Sequence, residues 1–298
     1  MRKIVANLRG GLGNQCFIYA TARALTLKTN SMLVLDDGYF LDDTIYHRSF
    51  SLEPFALMSI ISARQTKLFS ERFLLRTLYW AFQGRLSRLG NTIYDKRPFR
   101  YRVLPISWHG TLTLDGYWQS EKYFYDVREQ ILADFTLRDV SWLKDDAVAN
   151  QIAAVENSVF LHVRSYKEVP GKEGGECALR MADYYQNALA RLQGEIGGGT
   201  VFVFSDDIEW TKAKFIRRWC EDFSKFEFCV SDGESSQLRD FTLMRMCKHG
   251  IVADSSFSWW AGWLGEQERI MKGEMPIRLR VNRRVMNDDF WPERWRAI

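Results

Sequence analysis

The sequence predicts an α/β protein built on parallel sheets, and three observations carry that prediction. Short apolar strands alternate with amphipathic helices through the C-terminal half, the pattern of an open parallel sheet with helices on both faces. A strand–glycine loop–helix–strand unit opens the N-terminal half. Polar clusters stand where apolar strands stop, and open parallel sheets bind ligands outside those carboxyl ends.

In chain order, the first strand is Lys3–Leu8, followed by the glycine loop Arg9-Gly10-Gly11-Leu12-Gly13-Asn14-Gln15. A helix of about 14 residues comes next, with Phe17, Ala20, Ala24 and Leu27 on one face. The second strand, Ser31–Leu35, ends in Asp36-Asp37. From Ser62 to Tyr101 the pattern is helical, basic and aromatic. A strand at Thr111–Tyr117 and a helix across Glu121–Phe135 lead into the charged stretch Arg138–Asp146. The C-terminal half places strands at Ser158–Val163, Thr200–Phe204, Glu227–Val230 and Gly250–Ala253. Between and after them, helices fall near Met181–Leu192, Glu209–Cys220, Ser236–Cys247 and Phe257–Gln267. With 298 residues there is room for two domains of about 150 residues, and the boundary is expected within residues 140–157, dividing the chain into 1–150 and 151–298.

Composition narrows the function. At 46% hydrophobic and 26% charged residues the chain is ordinary globular protein, which excludes a disordered tail, a collagen-like rod and a coiled coil. A net charge of +4 argues against a dedicated nucleic-acid binder. That average conceals a basic segment. Between Ser62 and Arg102 ten Lys and Arg residues face only Glu71 and Asp95, so this stretch carries +8 and the rest of the chain sums to −4. The apolar run at the N-terminus is too short for a signal peptide, and no stretch has the length of a membrane span. Five scattered cysteines without C-x-x-C spacing fit free thiols in a reducing compartment, not a disulfide framework or a zinc site. The expected location is cytoplasmic.

Three strand ends carry candidate chemistry. In Ser158–Arg164, strand alternation projects His162 and Arg164 to the same side, and an Arg fork pairs bidentately with phosphate oxygens. The plainer alternative is a surface Arg beside a core-edge His. Four apolar residues then stop at Asp206-Asp207. This pair reads as a divalent-metal site, as a carboxylate accepting from a ligand N–H edge such as guanine, or as a helix N-cap; the second reading is preferred, with the cap equally open for one of the two. The third strand ends in Asp254-Ser255-Ser256 and a helix starts at once, so hydroxyls and unpaired amides gather at a helix N-terminus suited to an anion. The following Phe257, Trp259, Trp260 and Trp263 have core spacing. Together the three ends outline a nucleotide-diphosphate site.

The glycine loop lets backbone approach a ligand. Counted from Gly11, it departs from G-x-G-x-x-G because Cys16 stands at the third glycine position. Asn14 and Gln15 at the helix start suit a sugar or phosphate, or a tight turn with an Asn cap. The loop together with Asp36 is also what a nicotinamide-dependent oxidoreductase would show, and the aromatic content fits a non-catalytic glycan-binding protein.

Gly10–Ala20, Gly116–Phe124, Phe204–Asp207, Leu243–His249 and Ala253–Trp260 resemble glycosyltransferase family 11, the α-1,2-fucosyltransferases, over nearly the whole chain. The resemblance implies a GT-B-type fold of two Rossmann-like domains facing a cleft, with an acceptor-side N-terminal domain and a donor-binding C-terminal one. It implies GDP-L-fucose as donor, inversion at the anomeric carbon, a terminal β-galactoside as acceptor, and neither metal nor cofactor. It assigns Arg164 to the donor diphosphate, His162 to the nucleotide side, and Asp206 or Asp207 to guanine. Ser255 and Ser256 would meet the diphosphate, with Gly11, Gly13, Asn14 and Gln15 facing it across the cleft. One departure stands out: the family usually reads His-x-Arg-Arg-Gly-Asp-Tyr, and this chain reads His162-Val-Arg-Ser-Tyr-Lys-Glu168. Roles resting on the missing Asp are therefore unassigned. Arg164 would stabilise the leaving GDP, and Glu168 is the candidate base, with Glu173 and Glu176 as competitors. If the acceptor is carried on a lipid pyrophosphate, the basic, aromatic stretch 62–102 is a candidate contact with the inner face of an anionic membrane, the plainer alternative being a solvated helix face.

Overall fold

The computed structural model describes residues 2–41, 43, 46–58, 61–62, 91–97, 99–166, 175–230, 236–282 and 289–298. They fall into two compact units: Met1–Arg138 with Val285–Phe290, and Asp139–Arg284 with Trp291–Ile298.

The first unit is built on a parallel sheet of β1 (Lys3–Asn7), β2 (Met32–Asp36), β3 (Ile61–Ser62), β4 (Asn91–Tyr94) and β5 (Thr111–Asp115) in the order β3-β2-β1-β5-β4. Period-two alternation buries Ile4 and Ala6, and their partners in register, Leu33 and Leu35 on β2 and Leu112 and Leu114 on β5, are buried with them. Helix α1 (Leu12–Thr29) packs on β1 and β2 and is buried nearly all round, through Phe17, Ile18, Tyr19, Ala22 and Ala24. A buried ionic cluster fixes it to α2 (Arg128–Asp134): the Tyr19 hydroxyl and Arg23 Nε both donate to Asp134 Oδ2, at 2.6 and 2.8 Å.

Two sequence expectations change here. Asn91–Tyr94, read as part of a helical stretch, is the edge strand β4, because Thr92-Ile93-Tyr94 is a β-favouring run whose backbone groups pair with β5. The preceding residues 63–90, which carry much of the basic segment, lie outside the described residues. The helix expected across Glu121–Phe135 starts as 3₁₀ turns at Glu121–Tyr123 and Tyr125–Val127 and becomes α-helical only at α2. Phe124, at φ −137°, interrupts it.

The second unit is a doubly wound parallel sheet. Its strands are β6 (Ser158–Val163), β7 (Gly199–Ser205), β8 (Phe226–Val230), β9 (His249–Val252), β10 (Arg278–Arg280) and β11 (Arg296–Ala297), in the order β11-β10-β9-β6-β7-β8. Read from the other edge this is 3-2-1-4-5-6, the Rossmann order. Helices α3 (Ala147–Ala154), α4 (Ala182–Ile196), α5 (Gln237–Met246) and α6 (Ser256–Met271) are joined by a run over 208–222 that contains a π turn at Lys212–Ile216. Strands β10 and β11 carry too little apolar sequence to read as strands. Arg278 is buried because its guanidinium donates to the carbonyls of Gly262, Lys248 and Ile277 at 3.0, 2.7 and 3.1 Å.

The tryptophans of α6 are core, as their spacing predicts. Trp259 stacks on Trp263 at 6.2 Å between ring centroids and leans on Trp295 at 5.6 Å. Among the described residues, Cys16, Cys220, Cys229 and Cys247 form no disulfide and no helix is long and apolar enough to cross a membrane.

Helix α6 can lie against α5 because Gly265 has no side chain: a Cβ there would stand 2.2 Å from the Arg245 carbonyl oxygen. Gly265→Ala is therefore expected to cost about 2 kcal/mol or more in urea-unfolding measurements, since backbone must move to admit one methyl group.

Candidate functional site

In a doubly wound sheet the ligand crevice opens where strand order reverses, here between β6 and β9. The residues just beyond these strands are Arg164-Ser165-Tyr166 and Ala253-Asp254-Ser255-Ser256, with Asp206-Asp207 beyond the neighbouring β7. The structure thus brings the three predicted strand ends of this unit together at one edge.

Arg164 is held rather than loose. Its Nη1 lies 2.7 Å from Asp206 Oδ2, and its guanidinium carbon lies 4.7 Å from the centroid of the Tyr166 ring. Asp206 also accepts from the Ser165 N–H on Oδ1, at 2.7 Å, and from the Tyr166 N–H on Oδ2, at 2.8 Å. One carboxylate therefore gathers two backbone amides and a guanidinium, which fixes the chain as it leaves β6. This engagement is a different task from the guanine contact expected of Asp206. Asp207 caps the next helical turn, accepting from the Trp210 N–H at 3.3 Å.

Ser255 is the N-cap of α6 and accepts from the Phe257 N–H at 3.3 Å. Ser255 and Ser256 are half-buried at the positive end of a 16-residue helix. His162, on β6, is buried with its ring centroid 5.7 Å from that of Phe257. Burial first, and the nearby Arg164 charge second, push its pKa down to about 3, so the imidazole is neutral at physiological pH. Among the described residues its buried Nδ1 has no hydrogen-bond partner. Glu168 and Glu173 lie outside the described residues, and the exposed Glu176 pairs with Arg180 at 3.3 Å. The Gly175 N–H donates to the Ser165 carbonyl at 3.3 Å. Among the described residues no group of three His, Cys, Asp or Glu side chains could hold a metal ion.

In the first unit, order also reverses next to β1, between β1 and β5. The glycine loop leaves β1 here, with Gly10 at φ +72°. Asn14 Nδ2 would lie 2.7 Å from a Cβ at Gly10, and Asn14 Oδ1 accepts from Gln119 Nε2 at 3.0 Å. Gly11 and Asn14 are half-buried, whereas Gly13 is buried at the start of α1. Gln15, expected to meet substrate, is fully buried and braces the loop instead. Its Nε2 donates to the carbonyls of Gly10 and Ser49, both at 2.9 Å, and its Oε1 accepts from the Ser51 N–H at 2.9 Å.

Sequence reasoning missed two residues. Arg48 lies over the glycine loop, 3.7 Å from the Cβ position of Gly11, and no spacing rule connects the two. Tyr166 supports Arg164, and its signal was present in the departure from the expected motif.

Comparison with known proteins fits this geometry. The glycosyl transferase family 11 profile matches residues 87–275. An α-1,2-colitosyltransferase of Escherichia coli is 31% identical over 272 residues, covering 89% of this chain and 88% of that one. The O-antigen biosynthesis glycosyltransferase WbnK, also of Escherichia coli, is 29% identical over 279 residues, covering 88% and 90%. Galactoside α-(1,2)-fucosyltransferase 1 of Aotus azarae is 28% identical over 174 residues, 51% of this chain and 43% of that one. Among solved structures, the α-1,6-fucosyltransferase NodZ from Bradyrhizobium, soaked with GDP-fucose, superposes with a TM-score of 0.50 at 18% identity, over 87% of this chain and 91% of that one. FUT1 of Arabidopsis thaliana in complex with GDP gives 0.53 at 12% identity, over 96% and 72%. The chain belongs to glycosyltransferase family 11. Its fold is the α/β, GT-B-type class expected, with two Rossmann-like units, and the nicotinamide-dependent oxidoreductase reading falls.

The buried His162 makes stability depend on pH. Its folded pKa is below its unfolded one, so below about pH 6.5 the unfolded chain binds a proton that the folded chain refuses, and stability falls by about 1.4 kcal/mol per pH unit as pH drops. His162→Gln is expected to lose about 2 kcal/mol less than the unaltered protein between pH 7 and pH 5, read as the pH dependence of urea unfolding.

Proposed function

We propose that the chain transfers L-fucose from GDP-L-fucose, with inversion, to the 2-hydroxyl of a terminal β-galactoside in O-antigen or related surface-polysaccharide synthesis. One observation carries this reading: Arg164, clamped by Asp206, stands at the switch point of the second unit beside the α6 N-terminus. A leaving GDP gains negative charge as the glycosidic bond breaks, and fixed donors aimed at that charge stabilise the transition state more than the ground state. Arg164, Ser255, Ser256 and the first amides of α6 are such donors, and they suit a reaction that runs without a metal ion. In this assignment the second unit holds the donor, with the neutral His162 and Asp207 on the nucleotide side. The Gly11–Asn14 backbone and Asn14 of the first unit serve the substrates, and Glu168 is the base that takes the acceptor proton.

Arg164→Ala is expected to reduce transfer from GDP-fucose to galactose-terminated disaccharides by about a hundredfold or more while circular dichroism stays native. Retention of more than about a tenth of the activity would sink the assignment. NMR of the product reads the linkage and the anomeric configuration, and galactoside binding without any transfer would return the chain to the glycan-binding reading.

The 31% identity to an enzyme named for colitose favours a second reading, in which the transferred sugar is colitose, the 3-deoxy analogue of fucose. Competition between the two nucleotide sugars for one galactoside separates them.

The acceptor's carrier is proposed to be a lipid at an anionic membrane. Support comes from the +8 charge of residues 62–102 and from Val103 and Ile106, which leave 82% and 66% of their surface exposed beside Arg100 and Arg102. Val103→Asp/Ile106→Asp is expected to reduce co-sedimentation with vesicles containing phosphatidylserine severalfold at low salt. Equal binding to neutral vesicles, insensitive to salt, would remove the membrane from the picture.

A further inference from the structure

Tyr166 stands in the left-handed region at φ +60°, which a residue with a Cβ rarely adopts. It also stands where the family motif usually has glycine, the residue that enters that region without penalty. A side chain kept under strain at a strand end calls for compensating contacts. Tyr166 has them. The Arg164 guanidinium lies over its ring at 4.7 Å, and its backbone N–H donates to Asp206 Oδ2, the same oxygen that pairs with Arg164 Nη1. Its hydroxyl donates to the Asp254 carbonyl at 2.9 Å. That last bond reaches from the end of β6 to the end of β9, the two strands flanking the switch point, and arrives one residue before the Ser255 cap of α6.

We propose that Tyr166 is a positioning residue for the diphosphate of the nucleotide sugar. Its ring and Asp206 hold the guanidinium between an aromatic face and a carboxylate, so that few Arg164 rotamers remain to be lost on binding. Its hydroxyl sets the spacing between Arg164 and the α6 N-terminus, the two groups meant to share the diphosphate. The inference rests on the donor reading of Arg164.

Calorimetric titration with GDP tests it on five proteins: the unaltered chain, Tyr166→Phe, Tyr166→Gly, Arg164→Ala and Arg164→Ala/Tyr166→Gly. Thermal unfolding of each confirms a cooperative fold. The expected order of affinity is Tyr, then Phe, then Gly, with Tyr166→Gly weaker than the unaltered chain by about tenfold or more even though glycine relieves the backbone. In the Arg164→Ala background, the Tyr166→Gly exchange is expected to change affinity by less than about twofold, because the partner it orients is gone. Should Tyr166→Gly not fold, Tyr166→Phe decides alone: GDP affinity equal to that of the unaltered chain overturns the proposal. So does Tyr166→Gly binding GDP normally while Arg164→Ala does not, or losses that simply add in the double variant. Failure of the unaltered protein to bind GDP overturns the donor reading, and the role of Tyr166 with it.

Discussion

A parallel strand reaches its neighbour only through a crossover, so all the carboxyl ends of a parallel sheet gather along one edge. That constraint organises both units of this protein. Where the winding reverses, adjacent crossovers leave in opposite directions and the edge opens. In the second unit the opening falls between β6 and β9, and the residues with chemistry to offer lie just past it: an arginine, a carboxylate pair and a helix start capped by serine. None of them is near another in sequence. The sheet alone makes them neighbours, and this is why one site can draw on residues from Arg164 to Ser256.

Much of this was legible beforehand because β6, β7 and β9 of the second unit are largely apolar runs that stop at polar clusters. Ser158–Val163 and Val201–Phe204 have no competing helical period, and the α6 tryptophans fall where a core helix needs them. The illegible parts have physical causes too. The β10 strand depends on a buried arginine whose hydrogen bonds run to distant carbonyls, and no local pattern announces that. Strand β4 is four residues inside a basic, aromatic stretch whose period looked helical. Gln15 has the chemistry of a sugar ligand, but chemistry does not say which way a side chain points, and here it points into its own loop.

The division of labour between carboxylates is the less obvious lesson of the site. Asp206 and Asp207 are adjacent and chemically alike, yet one binds the chain leaving β6 while the other caps a helical turn. Two amides and a guanidinium on one carboxylate make a strong local restraint, since hydrogen bonds to a charged group exceed neutral ones. On the proposed donor reading, an arginine held by its own carboxylate has less conformational entropy to lose on binding.

The bond from Gly175 N–H to the Ser165 carbonyl has a wider consequence. It draws the two ends of the intervening segment together directly beside Arg164, so the chain between them is fastened like a clasp at its base. Arg164, Asp206 and Tyr166 meet one another at that same base. On the proposed donor reading, the point where the chain returns at Gly175 is thus tied by one backbone bond to the residue that follows Arg164.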